Sequence, residues 1–61
     1  MNMWFERSDG FGAVIEQTGD NEYVFTLCHN GKVDQMTCDN DEMLVIYHNL
    51  LDTGYKIVKK D

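Results

Sequence analysis

The sequence predicts an α+β fold: a four-stranded antiparallel β-meander, then one α-helix packed on one sheet face, then a short fifth strand (β-β-β-β-α-β). Three observations predict it. Gly stands beside Asp or Asn at three evenly spaced points, SDGF (8–11), TGDN (18–21) and HNGK (29–32), and these residues accept the positive φ of tight hairpins. The segments around them, NMWFER, GAVIEQ, EYVFTLC and KVDQMTC, are short and rich in β-branched and aromatic residues. After Cys38 the apolar period changes, with Met43, Tyr47, Leu50 and Leu51 falling on one helical face and Ile46 beside it.

Two-residue loops at all three turns predict a register. Phe5 then faces Val14, Val14 faces Phe25, and Phe25 faces Met36, with Met3, Tyr23, Leu27 and Cys38 on the same side. The opposite face carries Trp4, Ile15, Val24 and Thr37, with Ala13, Cys28 and Val33 nearby. A solvated sheet face is mostly polar, and this one is half apolar. Trp4, Ile15 and Val24 are therefore expected to form a shallow second core or an interface.

The helix has start and stop signals at both ends. Asp39 followed by Glu42 has the form of a capping box, and Asp39, Asp41 and Glu42 sit against the positive end of the helix dipole. Gly54 suits the left-handed residue just past the helix, with Tyr55 as the apolar contact behind it. YKIVKK then reads as a fifth strand, placed antiparallel beside the first so that the helix crosses the sheet and covers all of it.

The chain of 61 residues makes one domain, residues 1–61. A domain this small buries only about 60% of the surface of its unfolded chain, so partners or self-association stabilise it appreciably. Five Lys and Arg face eleven Asp and Glu, a formal net charge of -6. That excess argues against direct binding to nucleic acid or an anionic membrane and favours a basic partner. No apolar run approaches the roughly 20 residues of a membrane span, and a cytoplasmic location is expected.

Chemistry has little foothold in the sequence. Cys28 and Cys38 point to different faces and are expected to be free thiols. Cys28, His29, Cys38 and His48 lack zinc-site spacing, and the carboxylate clusters lack the alternating oxygens of a calcium loop. No cofactor or metal and no catalytic residue is assigned, and no enzymatic activity is expected. What the register does bring together is charge. Asp20, Glu22, Asp39, Asp41 and Glu42 share one end of the sheet, whereas Lys56, Lys59, Lys60 and Arg7 are expected along the opposite edge.

Two functional readings follow. In the first, the chain is a non-enzymatic protein-binding module that docks its acidic rim where phosphates would sit, on the basic, nucleic-acid-binding surface of a larger protein. Tiny, acidic and proline-free, it is similar in profile to small phage-type inhibitors and anti-defence proteins, although no motif carries that similarity. In the second, it is a homo-oligomeric accessory protein, such as a homodimer, built through Trp4, Ile15 and Val24, with room for a small ligand between protomers.

Overall fold

The computed structural model describes every residue from Met1 to Asp61. The elements are β1 (Asn2–Glu6), β2 (Gly12–Gly19), β3 (Glu22–His29), β4 (Lys32–Cys38), α1 (Asn40–Asp52) and β5 (Lys56–Lys60). The strands form one antiparallel sheet in the order β4-β3-β2-β1-β5. The helix carries the chain from one edge to the other, and β5 lands beside β1 as expected.

The three hairpins differ in how well their turns disclose register. Asn30 (φ 50) and Gly31 (φ 78) both occupy the left-handed region, the signature of a type I′ loop. Accordingly β4 pairs as predicted, with Phe25 opposite Met36, Cys28 opposite Val33 and Tyr23 opposite Cys38. The first hairpin departs from prediction. Its loop holds three residues, Ser8–Gly10: the Arg7 amide donates to the Phe11 carbonyl (2.9 Å) and the Gly10 amide to the Arg7 carbonyl (3.1 Å). Gly10 closes it at φ 92, a conformation an L side chain resists. Phe5 consequently faces Ala13, not Val14.

The second hairpin slips too. Its turn is Asp20–Asn21, neither at positive φ, and Thr18 is an extra residue where the register shifts between Gln17 and Gly19. The Thr18 hydroxyl faces Glu22, with its oxygen 2.9 Å from the Glu22 carboxylate and 3.3 Å from its carbonyl. Ile15 therefore pairs with Phe25.

Each slip turns β2 over relative to one neighbour, and together they leave β1, β3 and β4 on their predicted faces. Only β2 is inverted. Ile15 (0% exposed) and Ala13 (2%) belong to the core, and Val14 takes their place on the outer face. With Met3 and Phe5 they pack under Met43, Leu50 and Tyr55, while the Phe5 ring meets Tyr47 edge-on at 6.2 Å. Full burial of Phe5 or Ile15 contributes about 1.5–3 kcal/mol each.

Both helix ends are closed as the sequence anticipates. Asp39 Oδ1 accepts from the Glu42 amide (2.9 Å) and Glu42 Oε1 from the Asp39 amide (3.1 Å), completing the capping box. At the far end the Gly54 amide donates to the Leu51 carbonyl (3.3 Å) and the Tyr55 amide to the Leu50 carbonyl (3.0 Å), with Gly54 at φ 95. This is a Schellman closure, and it buries Tyr55 beside Leu50.

The helix does not cover the whole sheet. It must run from the end of β4 to the start of β5, which lie at opposite ends of opposite edges, so it crosses diagonally. A rod about 10–12 Å wide laid this way leaves a corner of the sheet bare. Every β4 residue except Cys38 is exposed, Met36 among them at 49%. Phe25 and Leu27 are only partly covered, and Leu51 turns away from the core.

Candidate functional site: the acidic end of the sheet

The acidic end is assembled from two chain segments. The β2–β3 turn contributes Asp20 and Glu22, and the junction of β4 with α1 contributes Asp39, Asp41 and Glu42. Pairing of Tyr23 with Cys38 holds the segments side by side. Asn21 ties them further: its Oδ1 accepts from the Asn40 amide at 2.9 Å, one of the helix N-terminal donors without an intrahelical acceptor. All five carboxylates expected here are brought to this end.

They are not equivalent. Asp39 and Glu42 are engaged with each other's backbone, and Glu22 receives the Thr18 hydroxyl. Asp20 and Asp41 are exposed and take part in none of these bonds. None of the five is in an ion pair, the molecule's single one being Arg7–Asp9 (2.8 Å) at the other end of the sheet; the Met1 ammonium, 3.0 Å from Gln17 Oε1, and Lys60, opposite Met3, reach this end without pairing with them. Below the rim, burial pushes the Cys38 thiol up from its ordinary pKa, and the Glu42 and Asp39 charges push it further. Both cysteines are free.

The lysines are spread along β5 instead of gathering with Arg7. Lys56 pairs with Glu6, the Lys59 ammonium lies 4.9 Å from the centroid of the Trp4 ring, and Lys60 pairs with Met3. The outer face keeps Trp4 and Val24 partly exposed and adds Val14, but Ile15 cannot belong to any interface there because the monomer buries it completely.

One cluster escaped the sequence reading. Across the end of the sheet opposite the acidic rim, the Phe11 and His29 rings stack at 3.6 Å and 4°. The Arg7 guanidinium lies over Phe11 (4.5 Å) and over Tyr55 (4.8 Å). Hydrogen bonding between Arg7 and Asp9 raises the pKa of the one and lowers that of the other. A three-residue first loop places Arg7 opposite Phe11, and the shifted β2–β3 register places Phe11 beside His29, so the column depends on both departures from the two-residue loops. It packs the open end of the meander and fastens it to the helix C-terminus, where Arg7 Nη1 reaches the Thr53 carbonyl at 3.4 Å.

No group of three or more His, Cys, Asp or Glu side chains is arranged to hold a metal ion. No helix is long and apolar enough to cross a membrane. No protein-family model, curated protein or solved structure matches the chain.

Proposed function

We propose that the chain is a non-enzymatic binding module whose acidic end docks on a basic surface of a larger protein, a nucleic-acid-binding channel being the best chemical fit. One observation carries this reading: five carboxylates from two separate segments converge on one end of the sheet and none of them is in an ion pair. Such an end steers association with a positive groove and competes there with phosphate. In that role the module acts as a phage-type inhibitor or regulator.

Asp20 and Asp41 are the residues to reverse, because Asp39 and Glu42 also cap the helix. The test is capture from a bacterial host lysate by wild type and by Asp20→Lys/Asp41→Lys, at low and high salt, followed by competition of the captured protein against its nucleic acid. The reading expects a nucleic-acid-binding protein that wild type displaces from nucleic acid and the reversed variant does not. Equal capture by both variants, insensitive to salt, would sink it.

Self-association through the outer face is the second reading, supported by partial exposure of Trp4, Val14 and Val24. Trp4→Glu separates the two, since it disrupts that assembly and leaves the acidic end intact.

A further inference from the structure

We infer that the free edge of β4 pairs antiparallel with β4 of a second copy, about a two-fold axis through Gln35. The inference does not require the acidic end to dock a partner, although it uses Asp39 and Glu42 of that end, and its surface differs from the Trp4 face.

It begins with where the backbone groups of β4 point. A two-residue type I′ loop is closed by a hydrogen-bonded pair, here His29 and Lys32, and bonding then alternates along an antiparallel ladder. Lys32, Asp34, Met36 and Cys38 bond inward to β3, leaving the amides and carbonyls of Val33, Gln35 and Thr37 directed at the open edge. The same alternation carried across the sheet yields bonds that are observed: the Gln17 amide to the Met1 carbonyl, and the reciprocal Asn2–Asp61 pair, each at 2.9 Å.

The two edges of the sheet are unequally guarded. β5 carries Lys56, Lys59 and Lys60 and a register shift against β1, devices that discourage another strand. β4 runs in unbroken register, has no proline, carries one Lys and one Asp, and exposes Val33 (59%) and Met36 (49%). An unguarded strand of this kind invites pairing.

Charge selects both the occupant and the register. Two-fold pairing centred on Gln35 sets Val33 opposite Thr37 of the second copy, so the outward backbone groups bond one another. It also sets Lys32 opposite Cys38 of the second copy, beside that copy's Asp39 and Glu42, neither of which is in an ion pair. Shifting the axis to Asp34 brings two carboxylates face to face, and shifting it to Met36 sets Asp34 against the acidic helix start. Of these three registers only the Gln35 one matches cation to carboxylate at both ends; an axis at Val33 sets Lys32 opposite Asp34 but overlaps only three residues of each strand. The half-covered Phe25, Leu27 and Met36 of each copy then border the shared centre of one continuous sheet.

Sedimentation equilibrium over a range of concentrations and two salt levels tests this, with far-UV circular dichroism as the check on folding. Wild type is expected to dimerise, more weakly at high salt. Gln35→Pro removes an outward amide, which an edge strand tolerates, and is expected to stay folded and monomeric. Lys32→Glu is expected to raise the dimer Kd by about an order of magnitude, because the lost contact occurs twice. Lys56→Glu changes net charge equally on the other edge and is expected to leave the Kd unchanged. Should Gln35→Pro fail to fold, the contrast between Lys32→Glu and Lys56→Glu decides. A wild type monomeric at every concentration overturns the inference, as does a dimer that survives Gln35→Pro and dissociates with Trp4→Glu. Equal responses to the two Lys→Glu changes also overturn it.

Discussion

Ile15 and Val14 are adjacent β-branched residues, and truncating each to alanine reads out which of them faces the core. Ile15 is fully buried among Met3, Phe5 and the helix residues, whereas Val14 is partly exposed. Removing the Ile15 side chain beyond Cβ loses its transfer free energy and leaves a cavity, together about 2–5 kcal/mol. Val14→Ala loses methyls that are already partly wet, about 1 kcal/mol or less. At about 0.05–0.15 kcal/mol per residue, a domain of 61 residues has only about 3–9 kcal/mol of total stability. Ile15→Ala therefore consumes a large share of it and lowers Tm by about 12–24 °C for a loss of about 3 kcal/mol. Urea unfolding followed by Trp4 fluorescence measures both variants against wild type. If Val14→Ala costs as much as Ile15→Ala, the inverted β2 register, and with it the three-residue first loop, is wrong.

Asp39→Ala removes the helix cap and is expected to cost about 1 kcal/mol in thermal melts, against less than about 0.5 kcal/mol for exposed Asp41→Ala. The Asp9 carboxyl, held down first by its hydrogen bond from Arg7, is expected to titrate below its ordinary value of 3.8 when followed by NMR, and to return toward it in Arg7→Gln. Because the folded pKa is the lower one, the stability this pair adds is present above the ordinary value and lost as pH falls through the folded one. The Cys38 thiol has the opposite sign: burial raises its folded pKa, so its contribution is complete below the ordinary 9.0 and is lost as pH rises through the folded value. Thiol labelling in the folded protein is accordingly expected at partly exposed Cys28 first, with Cys38 reacting only as the pH passes well into the alkaline range.

Element order, strand order and both helix ends were legible because each rests on local chemistry. Asn30-Gly31 admits one hairpin type, Asp39 with Glu42 marks one helix start, and Gly54-Tyr55 marks one stop. The first two registers were not legible for a reason that is also local. Asp9-Gly10 serves a two-residue loop with both residues at positive φ or a three-residue loop with only the glycine there, and the sequence is the same in either case. Choosing between them takes the core itself, which gains Ile15 and releases Val14 when the longer loop forms. The acidic end survived both slips because its placement depends on which turns share an end of the sheet, not on register. The Arg7–Phe11–His29 column needs each pairing to the residue, and for that reason was not legible.

The pairing of β1 with β5 also bears on how the protein is made. β1 is synthesised before the other four strands yet takes one of its two neighbours from β5, synthesised after them, Met3 meeting Lys60. The β1–β4 meander can form from local hairpins as it emerges, but Asn2, Trp4 and Glu6 keep their outward backbone groups unbonded until the C-terminal strand arrives. Closing so long a loop is the slowest class of contact for a chain of this length. A chain without β5 therefore presents a four-stranded sheet with two open edges. Stalling or truncation ahead of β5 would hold the chain in that aggregation-prone form.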